Sequence, residues 1–321
     1  MITRRRFLQA SIAGGAALAL PQARAQLFST SAWSAISAPL LDVSAGETLI
    51  TILHTNDTHS QIDPLPGNDK QYAGKGGVAR RATLVKRVRK ENPNTLMIDA
   101  GDVFQGTPYF NFYKGEVEYK SMSLIGYDVG TLGNHDFDNG VDALAAAMKF
   151  ANFDFVSSNY DLHGTPLESR VKRYVVRTLG GVRVGLFGLG ISPDNLITPE
   201  NFKGVKYMDP IKSSRGVVEN LRQRERCNLV IGMSHLGYYP NAKEGEIGDT
   251  QVASQVDGID FIASGHTHTF MKQPVMTKTP SGGNTIVFQV GRSGINVGRV
   301  DLKISGGKVV ASTARLLDLR G

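Results

Sequence analysis

Six short apolar, largely β-branched runs recur along this chain with helical patterns between them, and that alternation limits the fold more than any other feature. The runs are TLITILHTND (48–57), TLMIDAGD (95–102), YDVGTLGNHD (127–136), FDFVSSN (153–159), CNLVIGMSH (227–235) and IDFIASGHTH (259–268). They read as core strands. Helical periodicity falls at 76–92, 115–126, 139–151 and 211–226. Strand and helix in turn predict an α/β fold with a mainly parallel sheet. A different rhythm marks RYVVRTLGGVRVGLFGL (173–189), a hairpin across Gly180 and Gly181, and 270–318, which reads as four more strands with two SGG turns. These antiparallel strands predict a second sheet packed on the first. With 41% hydrophobic residues in a chain of 321, one large core is within reach and disorder is not expected.

All but one of the six runs end in a group that suits a metal. Asp57 and His59 close the first, Asp102 the second, Asn134 and His135 the third, His235 the fifth, and His266 and His268 the sixth. In open α/β sheets ligands bind beyond the carboxyl ends of the strands, so five segments are expected to converge on one rim. The donors are imidazoles, carboxylates and an amide, with no thiolate. That mixture suits Mn, Fe, Co, Ni or Zn in a reactive site better than structural zinc or calcium. Six or seven ligands are too many for one such ion. They suit two, roughly 3.5–4 Å apart and joined by a shared carboxylate, a centre that clamps the attacking and leaving oxygens of an in-line displacement at phosphorus.

Other polar residues have plainer explanations. Taken alone, Asn134 and Asp138 are ordinary turn formers. His54 lies inside the first strand and reads as packed or as a support to the ligands, and His163, in DLHGTP, as solvated. GKGG (74–77) lacks the full phosphate-loop pattern and reads as the entry to a helix, and KRVRKEN as that helix's solvated face. Cys227, the single cysteine, reads as a small buried hydrophobe.

The first 25 residues form a separate unit. TRRRFLQ (3–9), a Gly/Ala/Leu stretch and ARA (23–25) make a charged region, a short apolar region and a small-residue cleavage site, with paired Arg4 and Arg5 indicating the twin-arginine route. The apolar run from Ala10 to Leu20 is about half the roughly 20 residues a membrane span needs, so no stable anchor is expected. Loss of the segment's four arginines takes the net charge from +7 to +3, which gives no particular support for a nucleic-acid partner. The expected organisation is a signal peptide (1–25), a loosely packed leader (26–47) and a catalytic domain (48–321) in a periplasmic or secreted protein.

Five motifs in order, NDTH, GDVFQG, GNHDFD, SHLG and GHTH, resemble the calcineurin-like metallophosphoesterases. The run from ILHTNDTH through GGVARRATLVK and LMIDAGDVFQGTP to GNHDFDNG is similar to the 5′-nucleotidase branch, and the likeness covers 48 to about 318. The resemblance implies a four-layer αββα sandwich of two mixed sheets. It also implies two divalent ions (Mn, Zn, Fe or Co), one held by Asp57, His59 and His268, the other by Asn134, His235 and His266, with Asp102 bridging. His135 and Asp138 match the family's catalytic pair. The implied reaction is in-line attack of a metal-bridging hydroxide on a small phosphoester, a nucleotide or its relative. Members of this branch usually continue into a second domain that stacks the base. Two alternatives follow: a split enzyme needing a separately encoded base-binding partner, and a nuclease, phosphodiesterase or sulfur-compound hydrolase of the same superfamily.

Overall fold

The computed structural model describes residues 41–241 and 246–319. The signal peptide and most of the leader lie outside the described residues. The strands, in chain order, are β1 (Glu47–Thr55), β2 (Thr95–Asp99), β3 (Val129–Gly130), β4 (Asp154–Val156), β5 (Tyr160–Asp161), β6 (Val171–Lys172), β7 (Tyr174–Leu179), β8 (Val182–Leu189), β9 (Lys206–Tyr207), β10 (Leu229–Ser234), β11 (Phe261–Ser264), β12 (Val275–Lys278), β13 (Asn284–Phe288), β14 (Asn296–Ser305) and β15 (Lys308–Asp318). The α-helices are α1 (Val78–Glu91), α2 (Pro108–Tyr113), α3 (Glu116–Ile125), α4 (Gly140–Ala147), α5 (Pro210–Glu219) and α6 (Asp249–Gln255).

Two mixed sheets carry the fold, in the orders β15-β14-β1-β2-β3-β4-β6 and β12-β13-β11-β10-β8-β7. All six expected core strands form, but they divide between the sheets: β1 to β4 lie in the first, β10 and β11 in the second. The antiparallel strands do not make a sheet of their own, contrary to the simplest expectation. β14 and β15 edge the first sheet, while β7 and β12 edge the second. The reason is that the hairpin β7–β8 pairs in parallel with β10 through β8. That pairing moves the later core strands into the second sheet.

Burial explains the stacking. Ile50, Ile52 and Ile98 from the first sheet form one cluster with Leu186, Ile231, Phe261 and Phe288 from the second, so the sheets pack face to face. Each such side chain contributes roughly 1.5–3 kcal/mol relative to its exposed state. On the outer face of the second sheet, Val217 and Val218 of α5 and Val252 of α6 cluster with Phe187, Val230 and Ile262. Beside the first sheet, α1 buries Leu84, Val85 and Val88 and α3 buries Tyr119, Met122 and Ile125. The result is the expected helix–sheet–sheet–helix sandwich. His54 is packed between the sheets, edge-on to Phe261 and Phe288 at 5.4 Å each, and burial drives its pKa down to about 3, so it is neutral there. His163 stays on the surface, 3.0 Å from Glu168, and Cys227 is buried.

Candidate metal centre

The rim residues sit where strands break off. Asp57 and His59 follow β1, Asp102 follows β2, Asn134 and His135 follow β3, His235 follows β10, and His266 and His268 follow β11. Five of them turn out of the strand through left-handed backbone: Asp57 (φ 49), His59 (φ 47), Asp102 (φ 55), His266 (φ 71) and His268 (φ 53). Such residues cost of order 1–3 kcal/mol each and persist only where the surroundings over-determine them. Five on one rim is an outlier that points to function. Close approach has a second requirement, at Gly133. A Cβ there would lie 2.1 Å from Asp102 Oδ1 and 2.7 Å from His235 Nε2, so only glycine lets the ends of the two sheets meet.

All nine residues expected at the site are brought together. Asp57, His59 and His268 form one group able to hold an ion, and Asp102, His235 and His266 form another. In the first, His59 Nε2 and His268 Nε2 converge at 2.9 Å, and His268 Nε2 lies 3.3 Å from Asp57 Oδ1. In the second, His235 Nε2 lies 3.0 Å from Asp102 Oδ2. His266 Nδ1 lies 3.1 Å from Asn134 Oδ1. Asp102 faces both groups, since its Oδ2 also lies 4.0 Å from His59 Nε2. The His135 ring stands 5.4 Å from that of His59, and its Nδ1 lies 3.0 Å from Asp138 Oδ2.

The donor chemistry fits a pair of cations. His235 Nδ1 is committed to the carbonyl of Ala100 at 2.7 Å, whereas its buried Nε2 makes no aligned hydrogen bond despite the nearby carboxylate. His59 Nδ1 is likewise paired with the Phe104 carbonyl, which leaves its Nε2 facing the cluster. Backbone-oriented imidazoles with one nitrogen turned inward are how proteins aim metal ligands. Burial holds His59 below its ordinary pKa, and burial with the charge of His235 takes His266 down to about 4, so both are neutral donors at pH 7. Burial opposes ionisation of Asp102, but His235, His59 and His135 together keep its carboxyl below the usual range. The same partnership outweighs burial at His235 and lifts it to about 10; a bound metal ion would displace that proton.

The sequence reasoning passed over the residues that brace this rim. Asp136 accepts from the amides of Asp102 (3.1 Å), Val103 (3.1 Å) and Gly133 (2.8 Å), and burial with the charge of Asp102 raises it to about 7. Asn56 donates to Asp57 Oδ2 at 2.6 Å and to the Gly291 carbonyl at 2.6 Å. Gln289 binds Ser264 Oγ at 2.8 Å and Thr267 Oγ1 at 3.0 Å, and also contacts Thr269 N and the Gly265 carbonyl. Asp249 is buried against Ser264 beneath the same turn. Asn56 and Asp136 had a signal in their adjacency to Asp57 and His135, whereas Asp249 and Gln289 lie away from the motifs.

Two sheets meeting at a rim with two groups of metal-type ligands suit a metal-dependent hydrolase. The chain matches the calcineurin-like phosphoesterase family over residues 50–270 and belongs to it. It also matches the twin-arginine translocation signal sequence over residues 1–21. It therefore carries an address for that export route, to the periplasm or beyond, and among the described residues no helix is long and apolar enough to cross a membrane. Snake venom 5′-nucleotidase from Gloydius brevicauda is 33% identical over 258 residues, covering 75% of this chain and 41% of that protein. The crystal structure of a 5′-nucleotidase precursor from Thermus thermophilus superposes with a TM-score of 0.76 at 33% identity, over 85% of this chain and 55% of that one. That of the calcineurin-like phosphoesterase YfkN from Bacillus subtilis gives 0.69 at 26% identity, over 85% and 91%. The chain spans about two-fifths of the length of the curated 5′-nucleotidases it matches.

Proposed function

We propose that this chain is an exported two-metal phosphohydrolase that cleaves phosphomonoesters, with nucleotides and related small phosphoesters as its natural class. The observation that carries this is the pair of ligand groups on one rim, with Asp102 facing both and His135 alongside. In this reading Asp57, His59 and His268 hold one ion, Asn134, His235 and His266 hold the other, and residues 48–321 act as one catalytic domain behind a signal peptide (1–25) and a leader (26–47). Two divalent ions drawn from Mn, Zn, Fe and Co would, when bound there, supply Lewis acidity toward the phosphoryl group and the attacking water.

His135 then handles the leaving group. Its Nδ1 proton is held by Asp138, which leaves Nε2 to deliver a proton to the departing oxygen. The hydrogen bond to Asp138, opposed by burial, raises the His135 pKa above its ordinary value, so the acid form persists near neutral pH. Nucleotides are favoured as substrates because the relatives at 33% identity are 5′-nucleotidases. Those relatives extend well past the region they share with this chain.

The test is a substrate panel of AMP, UMP, a UDP-sugar and p-nitrophenyl phosphate, run on the mature chain with Mn, Co, Zn, Fe and Mg added singly. Metal-dependent hydrolysis of the monoesters is expected. Hydrolysis of none of them with any metal overturns the proposal.

A further inference from the structure

Beside the metal-facing histidines the surface sinks into a cavity of about 290 Å³, whose walls include His59, His135, His268, Tyr72, Asp69 and Arg292. That is at the lower end of the roughly 300–1,000 Å³ usual for small-molecule sites, enough for a phosphoryl group and the first part of what it is joined to. Arg292 is the one lysine or arginine among the residues lining it. Its side chain is exposed at the lip, and its guanidinium makes no hydrogen bond or ion pair with another described residue. The nearest acid in the wall, Asp69, is already engaged. Its carboxylate accepts from Tyr72 N at 2.6 Å and Gln71 N at 2.9 Å, and these amides, with a smaller effect from Arg292, hold it below the ordinary carboxylate range.

The backbone under Arg292 is fixed to the rim. Ser293 N donates to the Asp57 carbonyl at 2.7 Å, Ile295 N to the Arg292 carbonyl at 3.2 Å, and Asn56 to the Gly291 carbonyl at 2.6 Å. An exposed guanidinium on a backbone fixed beside a centre suited to two divalent ions is repelled by them unless an anion lies between. The position of the charge says which anion. His59, His135 and His268 are half-buried at the inner end of the cavity, whereas Arg292 is exposed at its lip. A scissile group placed at the histidine end puts what is attached to it at the lip, beside Arg292.

We propose that Arg292 is a specificity-determining residue that binds a second phosphate in the leaving group, so that the site favours nucleoside diphosphates over esters whose leaving group carries no phosphate. This rests on the phosphohydrolase reading of the centre. In the reaction, the oxygen of water bonds to the terminal phosphorus as its bond to the bridging oxygen breaks. The leaving oxygen takes a proton from His135 and the proton of water passes to solvent, giving a nucleoside monophosphate and orthophosphate. A guanidinium–phosphate pair also strengthens binding through parallel N–H donors, which a lysine reproduces only in part.

The experiment compares wild type, Arg292→Gln and Arg292→Lys, each checked for metal content, on ADP, AMP and p-nitrophenyl phosphate. Inhibition by methylenediphosphonate and by orthophosphate is measured alongside. Arg292→Gln is expected to lower kcat/KM for ADP by about tenfold to hundredfold, mostly through KM, and to weaken methylenediphosphonate by a similar factor. AMP, the aryl ester and orthophosphate should change by less than about threefold, and Arg292→Lys should recover part of the loss. An equal loss on all three substrates, or none on ADP, overturns the proposal. Should wild type hydrolyse none of them, the phosphohydrolase reading falls, and direct binding of methylenediphosphonate to the two proteins still decides the role of Arg292.

Discussion

At the scale of single residues, the proposed mechanism gives the neighbours His135 and Asn134 separate duties. Asn134 Oδ1 faces His266, while the His135 ring is turned to Asp138. His135→Ala should therefore keep both ions and lose roughly 10²-fold to 10⁴-fold in turnover, the usual worth of a positioned proton-transfer group. Unchanged kcat with a good substrate would remove it from the mechanism. Asp138 sets the pH at which that acid is lost. In the proposed mechanism His135 acts when protonated; its pKa is raised chiefly by the hydrogen bond to Asp138, so activity should fall as pH rises through that value. Asp138→Asn takes away the stabilising carboxylate, so the alkaline limb of the pH–rate profile should move to lower pH. A limb that stays in place or moves up would contradict the pairing.

The element scale shows what the pattern of residues could reveal. Every apolar run read as a core strand forms one, and the polar tail of each bearing run leaves the sheet at the rim, because a strand end is where side chains escape alternation. Which sheet a strand joins was not legible. β8, β10 and β11 are as buried on both faces as β1 and β2, and hydrophobic periodicity carries no record of the partner. Helices α2 and α6 escaped because six and seven residues complete too few turns to show a period. Pro108 at the first helical position with Thr107 as its cap was the usable signal. Asp136 was hidden for another reason: in GNHDFD a carboxylate that orders a loop reads the same as one that binds a metal. The junction of the elements is tested by Gly133→Ala. Its Cβ would meet Asp102 Oδ1, the Asp102 amide and His235 Nε2 within 2.7 Å, and the rigid turn cannot give. The variant should keep a native circular dichroism spectrum, hold fewer than two ions and lose on the order of 10²-fold in kcat. Full activity with two ions bound would show that the two sheets are not held as closely there as described.

At the scale of the whole molecule, the centre is where two separately built sheets are joined. The first sheet brings Asp57, His59, Asp102 and Asn134, the second brings His235, His266 and His268, and the carboxylate of Asp57 receives the His266 amide across the junction at 3.0 Å. Neither sheet alone holds a complete set for either proposed ion, so the proposed centre exists only in the assembled sandwich. Asp102, from the first sheet, is the carboxylate that faces both groups. The most direct measurement is elemental analysis of the purified protein after growth with ample Mn and Zn, for wild type and Asp102→Asn side by side. Two divalent ions per wild-type chain, and loss of both in Asp102→Asn, is the predicted result; one ion or none in wild type would contradict the two-metal account.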